Sequence, residues 1–193
     1  MKSLETLILS GCSKIKKIPE FGGNMQHVLE LFLDGTPITK LPTSIGHLTS
    51  LALLNIRDCK SLMCLPSTLF NLKFLKDVNI SGCSKLERLP ENVGNSESIE
   101  KLDVSRTAIR EVPSSIGHLT NLALLGIRDC KSLMCLPSTI FNLKFLKYVN
   151  ISGCSKLERL PEIVGNGESV EELDVSGTAI RKVPSSIDLL KKS

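Results

Sequence analysis

The chain has 193 residues, a formal net charge of +4 at pH 7, 41% hydrophobic and 23% charged residues, and only seven aromatics, six Phe and one Tyr. Such a length can bury a core, and the charge fraction does not match a disordered acidic or basic tail. No apolar run reaches the ~18 residues needed to cross a bilayer, and Glu5 breaks the N-terminal stretch before a secretory signal could form, so a soluble, unsecreted protein is expected.

In chain order, the first feature is Leu9-Ser10-Gly11-Cys12, which has the look of a lipid-attachment box. It recurs as Ile80-Ser81-Gly82-Cys83 and Ile151-Ser152-Gly153-Cys154, and a processing signal has no reason to repeat mid-chain. It therefore belongs to a repeating frame. That frame, L-x-x-L-x-L-x-x-C/T, begins at Leu4, Val28, Leu51, Leu75, Ile99, Leu122, Leu146 and Val170, in steps of 24, 23, 24, 24, 23, 24 and 24. Each unit continues to another aliphatic and an aliphatic-Pro pair, as in Leu62 and Leu65-Pro66. This is a leucine-rich repeat. The whole chain, 1–193, is expected to be one array of about eight repeats without evident capping repeats, a slice of a longer array or a truncated gene product.

The L-x-L segment reads as a short strand, and one strand per unit stacks into a parallel sheet with a spacing of about 4.8 Å. On the return path Leu69, Leu72 and Leu75 recur at every third position, which suits 3₁₀ or short helical turns. The expected fold is an α/β solenoid, a horseshoe with the parallel sheet on its concave face and 3₁₀ turns and loops on its convex face. Roughly one residue in six is leucine, and a thin aliphatic interior of this kind is expected to have little room for rings.

The ninth frame position forms a ladder: Cys12, Thr36, Cys59, Cys83, Thr107, Cys130, Cys154 and Thr178. Units with Thr are one residue shorter just after it. These side chains are expected to be buried under the turn that leaves the strand, making hydrogen bonds to neighbouring backbone rather than disulfides or metal bonds. Cys64 and Cys135 lie off the ladder and are expected to be exposed thiols. An odd cysteine count without paired spacing favours a reducing compartment. The sequons at Asn79 and Asn150 fall in mid-strand, where a glycan would crowd the sheet, and read as chance matches.

No phosphate-binding loop, dinucleotide fingerprint or zinc-protease helix motif is present, and His47 and His118 share one convex position with a capping or solvated role. No enzyme activity, cofactor or metal is expected, and no nucleic acid or membrane partner. Sorting charges by frame position gives six basic residues facing outward on the strands (Arg57, Lys76, Lys101, Arg106, Arg128 and Lys147). Against them stand eleven acidic ones: Glu5, Glu30, Asp34, Asp58, Asp77, Glu100, Asp103, Asp129, Glu171, Glu172 and Asp174. The concave face should then carry about −5 and the rest about +9, much of it just after the strands at Lys14, Lys16, Lys17, Lys60, Lys85, Arg88, Lys131, Lys156 and Arg159. This basic ridge is open to two readings, plain solvation or partner contact.

A longer period of three units relates 51–121 to 122–192. Before the divergent tail nine positions differ, and four are outward strand sites: Asn55/Gly126, Asp77/Tyr148, Lys101/Glu172 and Arg106/Gly177. That distribution fits concave side chains free to vary for recognition; drift at exposed positions would look similar. The partner-binding candidates are Arg57, Asp58, Asp77, Lys101, Asp103, Arg106, Arg128, Asp129, Tyr148, Glu171, Glu172 and Asp174.

The phrases Ser81-Gly82-Cys83-Ser84-Lys85-Leu86-Glu87-Arg88-Leu89-Pro90-Glu91 and Leu173-Asp174-Val175-Ser176-Gly177-Thr178-Ala179-Ile180 closely resemble the repeat region of plant intracellular nucleotide-binding disease-resistance proteins of the Toll/interleukin-1-receptor class. The resemblance implies a cytoplasmic or nucleocytoplasmic protein-recognition module of innate immunity. Its implied partners are a pathogen effector, a guarded host protein or the receptor's own nucleotide-binding domain. Nucleotide exchange and NAD cleavage in that family belong to other domains. The alternative is a general intracellular repeat scaffold or adaptor in signalling, which ladder Asn would favour and the Cys/Thr ladder does not.

Overall fold

The computed structural model describes residues 3–163 and 169–190. Each unit supplies one three-residue strand: β1 Thr6–Ile8, β2 Glu30–Phe32, β3 Leu53–Asn55, β4 Asp77–Asn79, β5 Lys101–Asp103, β6 Leu124–Gly126, β7 Tyr148–Asn150 and β8 Glu172–Asp174. They form one parallel sheet in chain order, and the register puts Leu7, Leu31, Leu54, Val78, Leu102, Leu125, Val149 and Leu173 in a single row. That row is the second aliphatic of the frame. Side chains alternate across a strand, so a buried central residue leaves its two neighbours on the concave face.

The convex side is built of 3₁₀ turns at Gly23–Met25, Thr43–His47, Ser67–Asn71, Val93–Asn95, Ser114–His118, Ser138–Asn142 and Ser185–Leu190. Proline precedes five of them, with φ between −64° and −74° at Pro42, Pro66, Pro113 and Pro137, and its carbonyl accepts the first i+3 bond, as from Leu69 N–H to Pro66 O and from Ile187 N–H to Pro184 O, both at 3.1 Å. In a 3₁₀ turn residues i and i+3 eclipse, so an aliphatic every third residue makes an inward stripe. Ile45, Leu48 and Leu51 are fully buried in this way. Sparse parallel bridges on the flank pair Lys40 with Cys64 and Glu111 with Cys135. Each sets the fourth residue after a Thr against the fifth after a Cys, so the one-residue deletion is absorbed between ladder and flank.

The strand exits share a backbone feature with no counterpart in the periodicity. The residue before the ladder is left-handed in all eight units, as Gly11, Gly35, Gly82, Gly153 and Gly177 with φ of 66–77° and as Asp58, Arg106 and Asp129 with φ of 55–58°. In seven of the units its N–H donates to a carbonyl of the next unit at 2.7–2.8 Å, from Gly11 to Asp34 O through Gly153 to Ser176 O. Each non-glycine residue there costs about 1–2 kcal/mol of backbone energy.

The expectation of little room for rings needs correcting. Phe70 and Phe141 are among the largest fully or nearly fully buried side chains, and Phe21 also joins the core. The rings sit in the convex turns rather than between strands. The units flanking Phe70 carry glycine at the equivalent position, Gly46 and Gly94. At the two ends of the array the aliphatics are only half-buried, Leu7, Leu9, Ile15 and Ile18 on one side and Val175, Ile180, Ile187 and Leu190 on the other.

Candidate protein-binding face

Beneath the concave face the ladder is a chain of shared acceptors. The Thr36 hydroxyl donates to Leu33 O at 2.6 Å, and the Cys59 thiol of the next unit donates to the same oxygen at 3.2 Å. Cys83 then donates to Ile56 O at 3.2 Å. The pattern recurs three units later: Thr107 and Cys130 share Val104 O, Cys154 reaches Ile127 O at 3.1 Å, and Thr178 returns to its own unit at Val175 O. Val104 O takes its two side-chain donors on its two lone pairs, whereas Leu33 O also accepts the Thr36 N–H at 3.2 Å and shares its lone pairs among three donors. The hydrogen bond to Cys59, together with burial, pushes the Cys83 thiol above its ordinary value, and Cys130 and burial do the same to Cys154.

The ladder departs from expectation at its ends. Cys12 is exposed and Thr178 is half-buried, whereas the six ladder residues between them are buried. All seven cysteines are free, and Cys64 and Cys135 are exposed as expected. A thiol reagent at pH 8 should therefore label Cys12, Cys64 and Cys135 quickly in the native protein and reach Cys59, Cys83, Cys130 and Cys154 only after denaturation. Rapid native labelling of four or more sites would contradict the buried ladder.

On the concave face the predicted residues separate into groups. Asp77 and Lys101 face each other across β4 and β5 with Nζ and Oδ2 3.9 Å apart. Lys76 pairs with Glu100 at 3.0 Å and Lys147 with Glu171 at 3.2 Å, again between adjacent units. These pairs are about half exposed, so each contributes well under ~1 kcal/mol. They fix side-chain orientation more than stability. Tyr148 lies beside Leu124 in register, and its hydroxyl donates to Glu171 Oε2 at 3.4 Å, while Glu172 follows it in the same row. Arg57 meets Asp58 at 3.2 Å and Arg128 meets Asp129 at 3.3 Å, each within its own turn.

Two candidates carry structural duties that the frame did not reveal. Asp103 and Asp174 accept the backbone N–H two residues on, from Ser105 and Ser176 at 2.9 Å, as Asn55, Asn79 and Asn150 do for Arg57, Ser81 and Ser152. The backbone and hydroxyl of Ser176 hold the Asp174 carboxyl below the usual carboxylate range. In β6 the position is Gly126, and the Arg128 N–H turns to Ser105 Oγ instead. The signal was available in the sequence, since Asn or Asp recurs two residues before the small or charged residue at the strand exit. The same bonding occupies Asn79 and Asn150, the two sequon asparagines, through both N–H and Oγ of Ser81 and Ser152.

Asp58, Arg106 and Asp129 occupy the left-handed turn rather than the strand proper. The carboxylates of Asp58 and Asp129 lie over Gly82 and Gly153 of the next unit, where an added Cβ would come within 2.1 and 2.3 Å of Oδ1. The nine basic residues after the strands are all exposed. Among the described residues no group of three or more His, Cys, Asp or Glu could hold a metal ion. No helix there is long and apolar enough to cross a membrane.

This architecture, a parallel sheet of one strand per unit backed by 3₁₀ turns and closed by a Cys/Thr ladder, defines a leucine-rich-repeat protein. Solved repeat domains share it. The leucine-rich-repeat domain of the type III effector XopL superposes with a TM-score of 0.84 over 98% of this chain and 66% of that one at 24% identity, and a TDR receptor with 0.66 over 86% and 29% at 20% identity. The family model for "Disease resistance protein RPS4B-like, leucine-rich repeats" matches residues 1–99 and 75–160, and the chain belongs to that family, which comprises repeats of the Toll/interleukin-1-receptor nucleotide-binding class. It is 47% identical over 62 residues to disease resistance protein RPS4B of Arabidopsis thaliana, covering 32% of this chain and 5% of that protein. It is 38% identical over 136 residues to TMV resistance protein N of Nicotiana glutinosa, covering 69% and 12%. The chain thus spans only a small part of these relatives.

Proposed function

We propose that this chain is the recognition and regulatory module of a plant disease-resistance receptor in the cytoplasm, contacting a pathogen effector, a guarded host protein or the receptor's own nucleotide-binding domain through its concave face and basic ridge. Leucine-rich-repeat regions of disease-resistance proteins are protein-interaction modules, and in this chain the interaction is assigned to side chains that the fold does not need. One observation carries the reading. Of the nine differences between the two three-unit blocks, four alter charge or size on the concave strands and the turns leaving them, at Asn55/Gly126, Asp77/Tyr148, Lys101/Glu172 and Arg106/Gly177. Leu69/Ile140 and Ile99/Val170 conserve aliphatic character in the core, and at Asn92/Ile163 and Ser96/Gly167 the first block's residues border one convex turn, Val93–Asn95. A scaffold that preserves its interior and varies its inner surface is suited to selecting partners.

The test is a pull-down from infected and uninfected plant extract, comparing the intact chain with a variant carrying Ala at Arg57, Asp77, Arg106 and Tyr148. All four side chains lie outside the core, so circular dichroism should be unchanged while partner recovery falls by about tenfold or more. Equal recovery by both proteins would remove the concave face from the reading.

A further inference from the structure

Three guanidinium groups converge on the concave side. Arg57, Arg106 and Arg128 line one depression of about 460 Å³ whose floor includes Ser81 and Ser105. Arg57 and Arg128 hold the same frame position three units apart, about 14 Å at the strand spacing of ~4.8 Å. The two intervening units have serine there, so the arginines stand at either end of a low floor.

Arg106 rises beside that floor from the left-handed turn, where five units carry glycine. The other two non-glycine residues there, Asp58 and Asp129, are held by ion pairs to Arg57 and Arg128. Arg106 makes no side-chain ion pair or hydrogen bond among the described residues, so only the N–H bond to Arg128 O at 2.7 Å, shared in kind by the glycines there, offsets its backbone cost. Strain kept without an internal partner is the kind found at ligand contacts.

The acids in the depression cancel part of this charge, two aspartates standing against three arginines, and leave Arg106 as the guanidinium without an ion pair. One carboxylate, Asp103, accepts the Ser105 N–H, and the other, Asp129, faces Arg128. Arg57 meets Asp58 through Nε alone, and a guanidinium carries five N–H donors, so much of each fork is left to engage a ligand. Gly126 keeps the floor open, since a Cβ there would come within 2.7 Å of Asp103 Oδ1. The equivalent site in the second block has Gly177 in place of Arg106, so the trio occurs once.

We propose that this cradle binds an extended, carboxylate-rich segment of a protein partner. The proposal rests on the reading of the concave face as the protein-binding surface. Guanidinium forks match carboxylates two bonds at a time. The ~14 Å between Arg57 and Arg128 spans about four residues of extended chain at ~3.4 Å each, and alternate side chains of such a chain face the same way. Carboxylates at i, i+2 and i+4 therefore fit the three arginines. A nucleic-acid strand fits worse, because no aromatic lines the path to stack a base.

The probe is a fluorescein-labelled Asp-Ser-Asp-Ser-Asp peptide, titrated by anisotropy against the full chain at low salt, with the all-Asn peptide and an oligothymidylate of equal charge alongside. The variants borrow residues that other units already use at the same positions, namely R57S, R106G and R128S. R106G should weaken the acidic peptide about tenfold with a melting temperature unchanged or raised, the triple variant should bind none, and the K73S/K144S variant, at exposed sites after the convex turns, should bind as the parent does. Equal binding by parent and triple variant, equal binding of the Asn peptide, or tighter binding of the oligothymidylate at these arginines would overturn the proposal. Failure of the recognition reading shows separately, as equal partner recovery in the extract pull-down whatever the peptide does.

Discussion

Truncation of Phe70 to alanine should lower the free energy of unfolding by about 3–5 kcal/mol, the range for removing a fully buried aromatic ring. The ring lies in the Ser67–Asn71 turn with none of its surface exposed. The ring belongs to the continuous core, so its removal leaves a cavity that neighbouring side chains refill only in part. A solenoid unit touches only its neighbours, so the loss falls on one interface and weakens the coupling between the two halves of the array. Urea unfolding followed by circular dichroism should show both an earlier midpoint and a shallower or split transition. Phe74→Ala, at a site 61% exposed, should stay within about 0.5 kcal/mol of the parent. A Phe70→Ala protein within about 1 kcal/mol of the parent, a third of the lower bound, would show that the ring is not the keystone of these turns.

Adding a single methyl at Gly94 should be nearly as damaging, costing about 1–3 kcal/mol through overpacking. A Cβ there would stand 1.8 Å from the carbonyl oxygen of Ser115 and 2.8 Å from its carbonyl carbon. Both are backbone atoms of the neighbouring turn, so rotamer change offers no escape and the turns at Val93–Asn95 and Ser114–His118 must separate. Gly23→Ala is the matched control. It also lies in a 3₁₀ turn, meets no atom within 4 Å, and has no left-handed φ. That change should be neutral or slightly stabilising, since alanine restricts the unfolded chain. Equal melting temperatures for the two variants would mean that the turns pack less tightly than the geometry indicates.

Much of the fold was legible because its interactions are short-range and periodic. The spacing of Leu7, Leu31 and Leu54 located the strands and their register, and the step of three from Ile45 to Leu48 to Leu51 identified the 3₁₀ turns. The ladder was legible for the same reason. The spacing did not show that Cys12 is exposed and Thr178 half-buried, because burial of a ladder side chain depends on contacts between units that spacing alone does not specify. Buried rings escaped notice because composition averages over the chain, whereas Phe70 and Phe141 are buried by their place in particular convex turns.

The candidate face was legible only as a list of positions. Frame arithmetic picked out Asp77, Lys101, Tyr148 and the arginines as outward residues, and the structure keeps them there. It could not separate residues that hold the turn from residues free to bind. Asp103 and Asp174 read as acidic recognition sites until their bonds to Ser105 and Ser176 were seen, and Arg106 read as one charge among seventeen until its left-handed backbone and lack of a partner set it apart. The net charge of the face was likewise a poor guide, since cross-unit pairs such as Lys76 with Glu100 consume much of it.

Sequence alone determined the architecture of this protein, its eight units and its place among disease-resistance repeats, because each unit repeats the same local choice of strand, ladder and turn. Tertiary structure decided which exposed side chains remain available to a partner. That choice depends on stacking, which brings Arg57, Arg106 and Arg128 from three separate units around one floor while tying neighbouring carboxylates to the backbone beneath.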